Sequence, residues 1–181
     1  MEWAAHALNV NGFSGGRKHN FDGVGGDIVS GMKTDFSCGV IPVRLREGRR
    51  EYLLVQHTAG HWSFPKGHPE REEAPRETAE RELLEETGLR CAMLVERPAF
   101  DERYVFKKRS GTTVMKLVTY FVGWIEGEGG GELRLQEAEV ADAAWGDAAQ
   151  TAGRMTFAEG CALLSEVEAF LDAAGDTAST V

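Results

Sequence analysis

Between Gly67 and Leu89 the chain reads GHPEREEAPRETAERELLEETGL, and this stretch decides the fold. Pro75 suits the first turn of a helix and Gly88 suits the position just past its end, so the spacing predicts one helix between them. Residues three and four apart share a face of such a helix. The predicted helix therefore carries three carboxylates on one face, those of Glu82, Glu85 and Glu86.

Three carboxylates so close together allow two interpretations. In a helix rich in glutamate they commonly form a solvated acidic surface, because charged side chains mostly face water. Alternatively they hold a hard cation, since Mg²⁺ and Mn²⁺ bind carboxylate oxygens together with substrate phosphates. The sequence around the glutamates favours the second interpretation.

The fixed positions of this stretch form a recognisable pattern. Counting from Gly67, the chain runs Gly-x5-Glu-x7-Arg-Glu-Leu-x-Glu-Glu-x-Gly-Leu, where x is any residue. This pattern resembles the signature of the Nudix hydrolase family at every fixed position, and residues 67–89 are called the signature below. The resemblance implies an α/β fold, the Nudix α/β/α sandwich, with a mixed β-sheet between helices and the signature as a catalytic loop–helix–loop. It also implies a metal-dependent enzyme that hydrolyses phosphoanhydride bonds.

The resemblance assigns roles to the charged positions of the signature. It implies Mg²⁺ as the cofactor, with Mn²⁺ as the alternative, held by the side chains of Glu82, Glu85 and Glu86 and the carbonyl of Gly67. Glu82 is either a further ligand or the base that activates water. Glu73 and Arg81 brace the loop on the helix. Such a site suits phosphoryl transfer, which needs neutralised phosphate oxygens and a positioned water more than covalent chemistry by the protein.

The segment just before the signature narrows the substrate. Residues 61–68 read HWSFPKGH, which resembles the W-x-x-P-K-G-H run of the asymmetrical dinucleoside tetraphosphate hydrolases within the family. The resemblance implies that Lys66 holds a phosphate oxygen and that His61 belongs to the substrate site; a solvent-exposed lysine is the alternative. The leading hypothesis is therefore hydrolysis of diadenosine tetraphosphate to ATP and AMP by attack of water.

A strand further along supplies candidate contacts to the base. Residues 100–106, FDERYVF, are similar to the family's strand that carries an aromatic residue for stacking on adenine. Tyr104 and Phe106 share a strand face, so both are candidates for substrate binding, with core packing as the alternative. Arg103 and Lys107 belong to a local basic spot, which either binds the phosphate tail or forms an ordinary charged hairpin tip.

Two further positions bear on the site. Glu139 stands six residues before Trp145, the spacing at which the family often places a remote metal-binding or catalytic glutamate. Glu137 is the competing candidate, and simple surface exposure is the alternative for both. Glu72 is a departure from the pattern, because this subgroup usually has glycine there and glycine permits turns that glutamate adopts at a cost.

Other substrates share the same signature. The alternatives are nucleoside triphosphates, RNA 5′ triphosphate ends and inositol pyrophosphates, and only the pocket outside the signature discriminates among them. Stacking aromatics favour a nucleobase, whereas a dominant cluster of Lys and Arg favours inositol phosphates. A non-catalytic nucleotide-sensing module is a third hypothesis, since fold alone does not fix function, but the complete set of signature acids weighs against it.

The remaining sequence predicts the organisation of the chain. Residues 1–35 are rich in Gly, Ser and Asn and predict a flexible leader, residues 36–172 predict the Nudix domain, and residues 173–181 predict a frayed tail. Strands are predicted at Cys38–Val43, Tyr52–Gln56, Cys91–Glu96, Ala99–Phe106 and Val114–Ile125. A last helix is expected to begin at Thr156, where Thr156 and Glu159 form a capping-box pattern, and to pack its apolar face on the sheet.

The charge balance limits the partners. The 181 residues contain 29 acidic against 20 basic side chains, a formal net charge of −9, and their number suits one domain. This excess disfavours an extended nucleic acid or an anionic membrane, so the expected partner is a small-molecule nucleotide. Three scattered cysteines without a C-x-x-C pair, and no recognisable signal segment, favour a cytoplasmic location.

Overall fold

The structure, a computed structural model, describes residues 33–95, 99–125 and 131–174. Over these ranges the chain forms eight strands and three helices. In chain order they are β1 (Lys33–Arg46), β2 (Arg49–His57), β3 (Trp62–Ser63), β4 (Lys66–Gly67), α1 (Pro75–Thr87), β5 (Cys91–Leu94), β6 (Phe100–Lys107), β7 (Thr113–Ile125), β8 (Val140–Gly146), α2 (Ala148–Arg154) and α3 (Ala158–Ala174).

The strands of the described residues form one mixed sheet of eight. β1 and β7 run parallel at its centre, with Lys33 opposite Val114 and Val43 opposite Trp124. β2 and β4 pair antiparallel with β1, whereas β5 and β6 pair antiparallel with β7. β3 and β8 both pair with β2. Parallel neighbours require a crossover connection, and α1 lies within the connection from β1 to β7.

A helix covers each face of the sheet. Successive residues of β1 point to opposite faces, so Ile41 and Val43 contribute to one core cluster while Cys38 and Val40 contribute to the other. Leu83 of α1 packs in the second cluster. The first cluster receives the aliphatic stripe of α3, which consists of Leu163, Leu164, Val167 and Leu171. The predicted α/β sandwich is therefore confirmed, with the signature helix on one face and the last helix on the other.

All five predicted strands are present, with changed bounds. The largest difference is in β1, which extends from Lys33 to Arg46 because its polar first residues also pair with β7. Glu47 and Gly48 join it to β2 in a tight turn, with φ angles of 52° and 73°. The elements β3, β4, β8 and α2 were not predicted. The two-residue strands β3 and β4 are too short to show alternation, and α2 spans only Ala148–Arg154.

The predicted capping box at Thr156 and Glu159 is wrong. α3 begins at Ala158, and the Thr156 hydroxyl instead accepts a hydrogen bond of 2.8 Å from the backbone N–H of Trp62. A second bond of 3.3 Å runs from the Thr156 N–H to the Trp62 carbonyl. The threonine therefore joins the segment between α2 and α3 to the start of β3, a contact distant in sequence that local pattern alone does not reveal. The apolar stripe predicted for the helix is confirmed.

The predicted domain boundaries, after residues 35 and 172, lie within the described residues, whereas most of the predicted leader and tail lies outside them. Of the predicted leader, residues 1–32 lie outside them, and residues 33–35 are paired in β1. At the other end α3 continues to Ala174, and residues 175–181 lie outside. None of the helices in the described ranges is long and apolar enough to cross a membrane.

Candidate active site

The signature helix is held against the sheet by its apolar side. Ala79 and Leu83 are buried beside β1, so the glutamates of α1 stand at the edge of this contact. Pro75 begins the helix as expected. Gly88 ends it with a φ of 75°, and its N–H donates to the Leu84 carbonyl at 2.8 Å. The helix bounds predicted from the sequence are confirmed.

Arg81 ties the signature loop to the signature helix. Its Nε and Nη2 atoms donate to the two carboxylate oxygens of Glu73 at 2.7 and 2.9 Å. Nη2 also donates to the His68 carbonyl at 2.9 Å. The hydrogen bonds from Arg81 lower the pKa of Glu73 to about 2. This bidentate contact fixes the loop in one geometry, since the planar guanidinium matches the carboxylate.

The same guanidinium lies between two of the signature glutamates. Arg81 Nη1 is 2.8 Å from Glu82 Oε1 and 2.8 Å from Glu85 Oε2. One cation placed between two carboxylates reduces their mutual repulsion. The Glu85 side chain remains 45% exposed, so its carboxylate is open to a solvent-borne ligand.

Glu82 and Glu86 are buried carboxylates. The Glu86 side chain is 1% exposed, and its Oε2 accepts a hydrogen bond of 3.1 Å from the backbone N–H of Lys66. Burial raises the pKa of both glutamates, and the nearby charge of Glu139 raises both further. Buried, closely spaced carboxylates are costly without a cation, and a divalent metal ion would offset that cost.

Gly67 lies directly against Glu82. It sits in β4 opposite Cys38 of β1. A Cβ atom at position 67 would lie 2.0 Å from the carboxyl carbon of Glu82, far inside any allowed contact. The glycine of the signature is therefore required by the close approach of a carboxylate to the backbone.

The family resemblance implies a hard divalent cation among these donors. Within the described ranges, no three His, Cys, Asp or Glu side chains are grouped so that they could hold a metal ion in this conformation. Arg81 engages the carboxylates of Glu82 and Glu85 instead. The chemistry of the donors nevertheless fits, because oxygen ligands are those that Mg²⁺ prefers and burial already disfavours the metal-free anions of Glu82 and Glu86. The individual metal ligands stay predictions.

Lys66 is half-buried beside the signature helix. Its Nζ donates to Ser63 Oγ at 3.0 Å and lies 3.1 Å from His57 Nε2. Burial lowers the pKa of Lys66, and the charges of Glu86 and Glu102 act in the opposite direction. The lysine ammonium is therefore held by Ser63 and His57 near two buried carboxylates rather than extending into solvent.

A series of aromatic rings, called the aromatic row below, begins beside Lys66. His57 stacks on His61 with ring centroids 4.5 Å apart, and His61 lies 5.9 Å from Phe157. Phe157 stacks on Tyr104 at 6.1 Å, and Tyr104 lies 6.1 Å from Phe106. The structure thus brings three predicted substrate residues, His61, Tyr104 and Phe106, into one surface.

The two basic candidates of β6 are not grouped with Tyr104. Arg103 precedes Tyr104 in the strand, so its side chain lies on the opposite face, where it pairs with Asp101 at 3.2 Å. Lys107 ends β6 and is exposed beside the hairpin tip. Because strand residues alternate in direction, Arg103 and Lys107 both lie on the face opposite Tyr104 and Phe106.

Glu139 faces the signature from the loop before β8. Its carbonyl accepts the N–H of Thr58 at 2.9 Å, which holds the loop beside the end of β2. Its charge is among the causes that raise the pKa of Glu82 and Glu86, so it lies near both. Glu137 and Glu139 are both exposed on this loop, but only Glu139 is among the charges that act on these two carboxylates. This geometry favours Glu139 as the remote carboxylate.

Sequence reasoning did not select four residues that the structure places at the site: His57, Ser63, Glu102 and Phe157. Glu102 is 7% exposed, and burial raises its pKa. Glu102 and Tyr104 are two residues apart in β6 and therefore share a strand face, which is a signal that could have identified Glu102. Phe157 lies between α2 and α3, and its contact with Tyr104 depends on tertiary structure alone.

Comparison with known proteins identifies the family of the chain. Residues 35–160 match the NUDIX domain family. A Mycobacterium tuberculosis protein, named "Putative mutator protein MutT4", is 31% identical over 148 residues, which are 82% of this chain and 54% of that protein. The asymmetrical bis(5'-nucleosyl)-tetraphosphatase of Rattus norvegicus is 40% identical over 68 residues, 35% of this chain and 46% of that enzyme. The chain spans about half the length of these two relatives.

A solved structure shows the same fold. The C. elegans Ap4A hydrolase in a binary complex superposes with a TM-score of 0.60 and 22% identity, covering 76% of this chain and 98% of that chain. The identity is too low to transfer more than the fold. The family match, however, extends over most of the chain and includes the whole signature with its loop and helix. On these grounds the chain belongs to the Nudix hydrolase family.

Proposed function

We propose that this protein hydrolyses a phosphoanhydride bond of a nucleoside polyphosphate, with water as the nucleophile. The observation that carries the proposal is the position of Lys66 between the buried signature carboxylates and the aromatic row. Polyphosphates need cations beside their oxygens, and nucleobases stack on aromatic rings. His57 connects the two regions, because it contacts both Lys66 and His61.

The proposed cofactor is Mg²⁺, or Mn²⁺ in its place, with Glu82, Glu85, Glu86 and the Gly67 carbonyl as its ligands. When bound, such an ion neutralises phosphate oxygens and acidifies a water molecule. Glu82 or Glu139 accepts the proton of the attacking water, and burial favours proton uptake by Glu82.

The other residues of the site act by position and charge. Arg81 and Glu73 keep the loop on the helix, so that Gly67 stays against Glu82. Lys66 binds a phosphate oxygen as a point charge. Tyr104 and the rings beside it support the base, and one stacked base contributes about 1–3 kcal/mol.

Diadenosine tetraphosphate is the leading candidate substrate, cleaved asymmetrically to ATP and AMP. Two observations support it: the HWSFPKGH run ending at His68, and the similarity to the rat tetraphosphatase over 68 residues. The acidic net charge of −9 favours such a small nucleotide over an extended nucleic acid or a membrane. A cytoplasmic location remains our expectation.

The proposal is tested by incubating the purified protein with Mg²⁺ and a panel of nucleotides in ¹⁸O-labelled water. We expect diadenosine tetraphosphate to be cleaved fastest, to ATP and AMP rather than two ADP, with one ¹⁸O in a single product. An intact dinucleotide beside efficient cleavage of another nucleotide would contradict this substrate. Binding of nucleotides without any cleavage would support a sensing role instead.

Glu85→Gln tests the metal-ligand assignment on the same panel. We expect kcat/KM to fall at least about 100-fold, because a neutral amide binds Mg²⁺ poorly. Glu80→Gln is the matched control, since Glu80 is exposed on the same helix and pairs with Arg76 at 3.8 Å. Equal activity of both variants would rule out Glu85 as a ligand.

A nucleoside triphosphate is the second candidate substrate. In the described part of the chain, the aromatic row is the one ring series that reaches Lys66, and it accounts for a single base. A triphosphate needs no second stacking surface. Faster cleavage of a triphosphate to a monophosphate and pyrophosphate in the panel would favour this candidate.

A further inference from the structure

The hydrogen bonds around Lys66 constrain His57, to which the proposed function assigns no role toward the substrate. The ammonium group lies within hydrogen-bond distance of two side-chain atoms, Ser63 Oγ at 3.0 Å and His57 Nε2 at 3.1 Å. These two atoms are themselves 3.0 Å apart, so the three groups form a closed triangle. Ser63 Oγ in turn donates to the Phe64 carbonyl at 3.1 Å.

The donors and acceptors of this triangle fix the tautomer of His57. A lysine ammonium has three N–H donors and no acceptor, so the facing Nε2 atom must accept. The proton of the neutral imidazole is then on Nδ1. That nitrogen lies 4.0 Å from Glu86 Oε1, whose partner oxygen accepts the backbone N–H of Lys66 at 3.1 Å. His57 therefore stands between the signature helix and the lysine side chain.

The orientation of the His57 ring is determined from two further directions. Its backbone N–H donates to the His61 carbonyl at 2.9 Å, and its ring stacks on the His61 ring with centroids 4.5 Å apart. The segment that leads from His61 to Lys66 thus begins packed against the end of β2, where His57 lies. A residue held at its backbone, its ring face and its Nε2 atom has little freedom to turn its ring.

We propose that His57 is a positioning residue, which accepts a hydrogen bond from Lys66 through Nε2 and so holds the ammonium group where a substrate phosphate binds. The inference rests on the proposed function, in which Lys66 binds phosphate. It goes further by assigning the site's phosphate affinity partly to a residue outside the signature and outside the HWSFPKGH run. His57 acts through Lys66 and touches no reacting atom.

Two substitutions separate this role from simple packing. In His57→Gln the amide oxygen can reach the place of Nε2 and still accept from Lys66, whereas the shorter side chain in His57→Asn ends near the place of Nδ1. Gln56→Asn is the matched control, since it shortens the neighbouring side chain, which contacts the Gly60 carbonyl at 3.4 Å rather than Lys66. Circular dichroism and thermal unfolding show that each variant is folded.

The first readout is binding of methylenediphosphonate, a pyrophosphate analogue that cannot be hydrolysed, measured by calorimetry with Mg²⁺. We expect His57→Asn to weaken binding about tenfold, with His57→Gln and Gln56→Asn within about threefold of wild type. With a cleavable nucleotide, His57→Asn should raise KM by a similar factor and change kcat much less, because ground-state phosphate binding is lost. Unchanged analogue binding by His57→Asn overturns the inference, as does failure of His57→Gln to restore it.

The second readout is the tautomer, observed by ¹⁵N NMR of histidine-labelled protein without substrate. We expect a protonated Nδ1 and an unprotonated Nε2 for His57, assigned by loss of the signals in His57→Gln. Protonation on Nε2 overturns the inference. If the wild type binds the analogue and shows this tautomer but cleaves no nucleotide, the proposed function fails while the positioning of Lys66 stands.

Discussion

At the scale of single residues, the space above the Gly67 backbone is filled by the carboxylate of Glu82. The distance from a built Cβ to that carboxyl carbon is 2.0 Å, and its oxygens are at 2.0 and 2.2 Å. Glu82 is buried and also bonded to Arg81, so it has little room to withdraw. A change of one methyl group at Gly67 therefore acts directly on a candidate ligand.

We predict that Gly67→Ala lowers kcat/KM by about 100-fold, because the new methyl group displaces the Glu82 carboxylate. Steady-state kinetics with Mg²⁺ measures the effect. The matched control is Gly153→Ala in α2, where an added Cβ meets nothing within 4 Å and helix propensity improves. The control should keep full activity, and an equally active Gly67→Ala protein would refute the steric argument.

Glu72 shows the reverse situation, a side chain where the backbone favours glycine. Its φ is 65°, in the left-handed region that non-glycine residues adopt at a cost of about 1–2 kcal/mol. The signature loop keeps this turn because Glu73, the next residue, is clamped by Arg81. The departure from the subgroup's usual glycine thus changes local strain and leaves the clamp intact.

At the scale of elements, the site depends on loops that meet only in the folded chain. The first residue of β3 and the segment between α2 and α3 are joined by two hydrogen bonds between Trp62 and Thr156. This junction places Phe157 between His61 and Tyr104. The aromatic row is therefore assembled from three separate parts of the chain.

We predict that Thr156→Val lowers the free energy of unfolding by about 1 kcal/mol, because the Trp62 N–H loses the hydroxyl that accepts from it. The looser junction should also raise KM for a nucleotide several-fold while kcat changes little. Urea denaturation and steady-state kinetics measure the two effects. Thr156→Ser keeps the hydroxyl and should behave as the wild type; a defect in that variant of equal size would assign the effect to packing of the methyl group.

Sequence-based prediction succeeded where the signal is local and failed where contacts join distant segments of the chain. α1 was predicted with its correct ends because Pro75 and Gly88 act locally, and the longer strands were predicted from alternation. Thr156 was misassigned because its capping pattern is local whereas its actual partner, Trp62, is distant in sequence. His57 and Phe157 gave no local signal, since their roles arise from contacts between loops. The signature alone identified helix α1 and its acidic face, and tertiary structure was needed for the surface around it.

At the scale of the whole molecule, buried charges set the dependence of stability on pH. Burial raises the folded-state pKa of Glu86 above its ordinary value of 4.5. Its stabilising contribution is therefore fully present below pH 4.5 and is lost as pH rises through the raised pKa. Glu73 and His61 act oppositely, with pKa values lowered to about 2 and about 4. The contribution of Glu73 is lost as pH falls from 4.5 through about 2, and that of His61 is lost as pH falls from 6.5 through about 4.

We predict that Glu86→Gln stabilises the metal-free protein at pH 8 by on the order of 1–2 kcal/mol. The substitution removes a buried anion, and the glutamine amide oxygen can still accept the hydrogen bond from the backbone N–H of Lys66. The gain should shrink toward pH 5, where Glu86 is increasingly protonated. Added Mg²⁺ should raise the melting temperature of the wild type more at pH 8 than at pH 5, and that of Glu86→Gln little at either pH. Thermal unfolding with and without EDTA measures both; a less stable Glu86→Gln protein at pH 8 would contradict the argument.

The parallel pairing of β1 with β7 has a consequence for how the chain folds. Asp35 and Lys116 form an ion pair of 2.9 Å although 81 residues separate them. Pairing at the centre of the sheet therefore closes a long loop, and the chain loses conformational entropy before the stabilising contacts form. Such non-local topologies fold slowly. As the chain is synthesised, β1 can pair with β2 in a hairpin early, whereas its other edge gains its parallel partner only after β7 has been made. Glu139, which acts on the signature carboxylates, follows β7 in the chain, so these carboxylates meet their final surroundings only late in synthesis.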